Sequence, residues 1–319
     1  SVRSKNAQNI LAKNLVVVTV GFLCWWVGGY ALALGTSDTP GKFSGSKGFF
    51  TDGFTENPTM YRVWFFQGAF CATAATIVSG AMAERTQLKG FIVYTVLMTI
   101  LIYPVVVYWG WSGAGLLNYA EGDNAMSVVG PSYLDFAGSG IVHMVGGVGA
   151  LCGAAIVGPR KGRFPSAEVI DFARFAPGSS PEEFSPHNVP FLVLGTFCLW
   201  FGWYGFNPGS TGSMHDAATA VTAGRVAVNT TLAPCSAGLL VFFLRAQVLS
   251  DKKLDVGGFC NGILAGLVAI TAGCNAVEPW EAAFIGLVGG LVYQGTSMLV
   301  AKLKVDDVVD AFAVHGAND

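Results

Sequence analysis

The chain has 319 residues, of which 52% are apolar and 12% charged, with a mean hydropathy of +0.53. The charged share is about half that of an ordinary soluble domain, which excludes a water-facing surface of the usual extent. A formal net charge of −2 gives no basic field for a nucleic-acid partner.

The chain opens on SVRSKNAQNILAKN, a basic and polar stretch without the pattern of a signal peptide. Eight windows free of Asp, Glu, Lys and Arg follow, at 15–34, 63–83, 90–117, 136–157, 189–206, 226–244, 256–275 and 282–301. Each is long enough for a helix to cross a bilayer, which takes about 18 residues or more. They are apolar on all sides, whereas barrel strands are about ten residues long and alternate. The expected fold class is therefore an all-α polytopic membrane protein, with a ninth helix starting near Asp306.

The segments between the windows set the orientation. Fourteen of the 18 lysines and arginines fall on alternate segments, such as GPRKGR at 158–163, and that side is expected to face the cytoplasm. The other side carries Gly/Ser/Asn-rich loops, among them NYAEGDNAMSVVGPSYLD. Seven scattered cysteines without a CxxC pair argue against a disulfide framework or a zinc site. No metal, cofactor or enzymatic nucleophile–base set is expected.

One spacing occurs twice. In DFAGSGIVH, Asp135 lies eight residues before His143; in DVVDAFAVH, Asp307 lies eight before His315. Each aspartate is expected to start a helix, where a carboxylate caps free amides. Five spans separate the two starts, so the helices run in opposite directions. Eight residues at 1.5 Å rise place each ring about 12 Å deep, and the hydrocarbon is about 30 Å thick. The two imidazoles are thus expected to approach one another near the midplane, as in inverted repeats, here of five helices. An ionisable group at that depth points to function.

Four stretches resemble the ammonium transporter (Amt/Rh) family, in phrasing its eukaryotic Amt branch: FQGAFCATAATIVSGAMAER, DFAGSGIVHMVGGVGALCGAAIVGPRKGRF, LGTFCLWFGWYGFNPGS and VDDVVDAFAVHG. The resemblance covers nearly the whole chain and implies one ammonium transporter domain, residues 1–319. It implies the family's second to ninth spans and the start of its tenth, so that the chain is expected to be a fragment lacking the first span and the C-terminal spans. It also implies a homotrimer in the lipid bilayer, a multi-pass protein of the plasma membrane, with ammonium and ammonia as its partners.

Residue roles follow from the same resemblance. His143 and His315 match the paired pore histidines, and Trp203 matches a pore-lining tryptophan. Phe70 and Phe206 match the stacked phenylalanines that close the outer pore. Trp109 and Ser210 match the outer residues that recruit ammonium, with Asp135 beneath them; Trp111 is the other indole of the YWGW motif. The implied activity is recruitment of ammonium, deprotonation and passage of ammonia past the histidines. A Rh-like gas channel and an ammonium sensor are the alternatives.

Overall fold

The computed structural model describes residues 2–36, 43–117, 133–164, 184, 186–249 and 254–319. The outer loop at 118–132 and most of the inner loop at 158–188 lie outside the described residues. No strand occurs among those described.

Among the described residues, seven helices are long and apolar enough to cross a membrane: α1 (Ser4–Leu34), α2 (Thr59–Ala81), α3 (Leu88–Trp111), α4 (Ser139–Val157), α5 (Val189–Thr211), α6 (Ala217–Leu249) and α8 (Pro279–Lys302). Between the last two lies α7 (Val256–Thr271), a shorter apolar helix. A single wide turn, α9 (Phe312–Gly316), follows α8. The chain is a multi-pass, all-helical membrane protein.

Helix ends are set by capping rather than by hydropathy, and here the structure departs from the windows. Asp216 starts α6 by accepting from the Thr219 amide (2.9 Å), so the helix begins nine residues before its apolar window and carries Arg225. Asp255 starts α7 in the same way through the Gly258 amide. Glu278 and Glu281 form a reciprocal cap on α8. At its N-terminus α1 extends back to Ser4, because Asn6 and Arg3 are held by Glu84. The window at 256–275 ends early: α7 stops at Thr271, and the Ala272 carbonyl accepts from the Phe136 amide (3.0 Å).

The helices alternate in direction. Contacts from Arg3 to Glu84, Val2 to His187 and Arg160 to Asp306 gather one set of ends. Contacts from Trp109 to Phe43 and from Arg62 to Gly212 gather the other. The first set holds the lysine- and arginine-rich segments and is called the inner end below. Small residues let α6, α7 and α8 approach closely: a Cβ at Gly286 would sit 2.1 Å from the Ala233 carbonyl oxygen, and one at Gly266 2.6 Å from the same atom.

Wide, π-helical turns interrupt this regularity. One lies in α3 at Met98–Ile102, just before Pro104, which has no amide to continue the ladder. Another opens α4 at Ser139–Met144 and contains His143; α9 is itself such a turn and contains His315.

Candidate functional site

The site begins where α4 begins. Asp135 precedes the helix, and its carboxylate accepts from the amides of Gly138 and Ser139 (both 2.8 Å) and of Ile141 (2.9 Å). Tyr133 donates its hydroxyl to the same group at 3.3 Å. Burial pushes the Asp135 carboxyl upward, and the three amides oppose that. Gly138 turns the chain at φ +95°, a conformation that favours glycine. Asp135 is thus committed to the backbone: it fixes the first turn of α4 and with it the height of His143. Asp307 plays the same local part for α9, accepting from the Phe312 amide at 2.7 Å.

The two imidazoles meet. His143 Nδ1 lies 3.1 Å from His315 Nδ1, with ring planes 11° apart. At that distance one nitrogen must carry the proton and the other must accept it. A neutral pair then has one ring with a bare Nε2 and one ring with Nε2–H. The pair therefore offers one acceptor and one donor to a small polar guest. His143 Nε2 is buried and has no hydrogen-bond partner among the described residues.

A run of aromatic rings leads outward from the histidines. Trp203 stacks on His143 with centroids 5.0 Å apart and planes at 7°, held by a hydrogen bond from its Nε1 to Thr271 Oγ1 (3.0 Å). Phe206 lies 5.3 Å from His143 and 4.1 Å from Phe70. Phe66 packs on the other side of Phe70 at 4.6 Å. Phe70 is 3% exposed, Trp203 6% and His143 1%, so the rings close this interior to water.

At the outer end the structure separates the two indoles of YWGW. Trp109, expected at the mouth, turns to the loop instead: it packs on Phe43, and its Nε1 donates to the Phe43 carbonyl (3.1 Å). Trp111 is the ring beside Phe70, 5.8 Å away, with its Nε1 donating to the Asp135 carbonyl (2.7 Å). Residues two apart on a helix point about 200° apart, so only one of the pair can face this column. Ser210 sits on the last turn of α5 and donates its hydroxyl to the Phe206 carbonyl (2.8 Å), which leaves its oxygen lone pairs as acceptors. Thr271, Tyr133 and Phe66 were not singled out in the sequence, because each looks like ordinary filling of an apolar helix or loop. Only their neighbours mark them.

Among the described residues, apolar helices surround an aromatic-closed interior that holds two facing histidines, the architecture of a multi-pass membrane protein. The sequence pattern of the Ammonium Transporter Family matches residues 1–318, and the chain belongs to that family. It is similar to Ammonium transporter 1 member 4 of Arabidopsis thaliana, 40% identical over 326 residues, covering 99% of this chain and 61% of that protein. It is as similar to Ammonium transporter Amt2 of Archaeoglobus fulgidus, 40% identical over 316 residues, covering 98% and 63%. Among solved structures, one described as a Sensor Amt Protein superposes with a TM-score of 0.79 at 34% identity, covering 99% of this chain and 73% of that one. Candida albicans Mep2 superposes with a TM-score of 0.77 at 30% identity, covering 95% and 62%. The chain spans about three fifths of the length of the curated relatives it matches.

Proposed function

We propose that the protein carries ammonium across the plasma membrane by stripping it to ammonia at the outer mouth. The observation that carries this reading is the closed column from Trp111 through Phe70 and Phe206 to two imidazoles 3.1 Å apart. An ammonium ion is drawn to the Trp111 face by cation–π attraction, worth about 0.5–2 kcal/mol. Ser210 accepts one of its N–H groups, a bond that potassium cannot form. Beyond the phenylalanines a bare ion meets one neutral ring nitrogen in place of its water shell, and its desolvation costs several kcal/mol. Ammonium escapes that cost by giving a proton to water on the outer side, which carries it off as hydronium; potassium has none to give. Ammonia then meets a pair that can accept from its N–H through a bare ring nitrogen and donate to its lone pair through the other ring. Trp203, stacked on His143, keeps that ring upright.

Uptake by the natural full-length protein in cells without ammonium transporters of their own tests the reading. Saturable ammonium uptake that discriminates against potassium is the expected result, with His143→Ala impairing rate or discrimination. Unchanged uptake and discrimination in both His143→Ala and His315→Ala would refute the role of the pair. In the same reading the protein assembles as a homotrimer. The similarity to a structure described as a Sensor Amt Protein favours a second reading, in which ammonium is bound at the mouth without being carried. Saturable binding to purified protein together with no uptake would select it.

A further inference from the structure

The two histidines approach one another from separate helices, and something must stop those helices from sliding. The histidine contact cannot do this alone, since it is one hydrogen bond. At the inner end stands a second connection between the same two elements. Asp306, just before Asp307 and α9, is 2% exposed. Its carboxylate accepts from Arg160 three times, from the backbone amide (2.9 Å), Nε (2.8 Å) and Nη2 (3.0 Å). Arg160 lies three residues beyond the end of α4, the helix of His143. Arg85 donates to the Asp306 carbonyl at 2.6 Å, so both the backbone and the side chain at this position are held.

Arg160 is fixed in turn. Its remaining arm, Nη1, reaches Glu84 Oε1 at 3.1 Å. Glu84 also holds the N-terminal segment through Arg3 and Asn6. Its side chain is fully buried, as is that of Asp306 to within 1%. A planar guanidinium gripping a carboxylate through two arms fixes both distance and angle, which a single ammonium does not. Arg160–Asp306 is therefore a joint of defined geometry between the α4 and α9 strands of the chain. Beside the histidine contact, Gly147 of α4 abuts the backbone of Gly316, the residue after His315. The histidine and glycine contacts thus lie together, and the ion pair joins the same two segments at the inner end.

We infer that the Arg160–Asp306 pair is the positioning element of the histidine pair: it sets the register of α9 against α4 and so the separation of His143 from His315. The inference rests on the transport reading for its effect on selectivity, but not for its effect on geometry. The N-terminal segment, through Glu84, is coupled to the same joint.

The test uses the natural full-length protein in two arms. In the first, amide hydrogen exchange is measured on purified Asp306→Asn and Arg160→Lys, following residues 311–317 against α6–α8. The Val314 and Ala317 amides bond to Asp310 and Phe312, so a released α9 exposes them. Exchange in this segment should rise at least tenfold in both variants, while α6–α8 stay unchanged. Arg160→Lys keeps the charge and loses the fork, so it separates position from charge. Should Asp306→Asn not fold, Glu84→Gln gives a milder loosening with a smaller rise in the same segment. The second arm measures the ratio of ammonium to potassium uptake, which should fall about tenfold in Asp306→Asn. In a His315→Ala background the same substitution should then add nothing. Exchange in 311–317 that is unchanged, or raised no more than in α6–α8, overturns the inference. A wild-type protein that takes up no ammonium overturns the transport reading alone, and the exchange arm still decides the joint.

Discussion

Gly147→Ala puts the seam between α4 and α9 to a quantitative test. Gly147 lies one turn after His143 on the same face of the helix. A Cβ there would sit 2.2 Å from the Gly316 nitrogen and 2.4 Å from its Cα. Both are backbone atoms and cannot rotate away. Ordinary contact begins near 3.4 Å, so α9 must retreat by about 1 Å. That retreat carries His315 with it and stretches the Nδ1–Nδ1 distance from 3.1 Å to about 4 Å, beyond hydrogen-bond reach. Overpacking costs about 1–3 kcal/mol of stability, and the lost bond adds about 0.5–1.5 kcal/mol. For transport, a misplacement of about 1 Å at the working groups is expected to lower the rate tenfold to a hundredfold. The assay is ammonium uptake by the natural full-length protein, corrected for its amount in the membrane. Gly195→Ala serves as the control, because nothing lies within 4 Å of the added methyl. Wild-type uptake and an unchanged ammonium-to-potassium ratio in Gly147→Ala would show that the histidine separation does not govern transport.

The two tryptophans give opposite expectations: Trp111→Leu should weaken apparent ammonium affinity about twofold to thirtyfold, the range of one cation–π contact, while Trp109→Leu should leave it unchanged, both read from uptake at low concentration. Asp135→Asn leaves one of the amides at the start of α4 facing an NH2 group, at a cost of about 1–3 kcal/mol, which thermal unfolding of the purified protein should register as a lowered midpoint. The inner ion-pair hub should be insensitive to pH across the neutral range. Burial disfavours the charged Asp306, but its bonds from Arg160 outweigh that and hold its carboxyl below the usual value; Glu84 is lowered likewise by Arg3 against its own burial. Groups depressed in the folded state stabilise it above the unfolded pKa of about 4 and lose that contribution as pH falls through the folded value. The gap in melting midpoint between wild type and Asp306→Asn should therefore stay constant from about pH 5 to 8 and close only below about pH 4.

Much of this architecture is legible in the sequence because a bilayer imposes a one-dimensional code: charge-free windows of about 18 residues or more mark spans, and alternating basic segments orient them. The doubled Asp–x7–His spacing likewise marks two residues that meet, although the residues between each aspartate and its helical turn are not helical and the simple count of helical rise does not apply. Other features escape such reading because they depend on atoms far apart in the chain. The cap at Asp216 sets the start of α6 nine residues ahead of its hydropathic edge, as polar bonds to a few amides outweigh average apolarity there. YWGW contains two indoles, and the sequence does not say which turns inward; packing against Phe70 selects Trp111 and leaves Trp109 to Phe43. The GPRKGR segment reads as an orientation signal, yet its Arg160 is buried in the bidentate grip of a carboxylate 146 residues away. Sequence alone determined which segments leave water, because that follows from local composition. Tertiary structure alone decided which side chains face the column and what fixes their separation, because those depend on helix rotation and register, which only packing between distant segments can set.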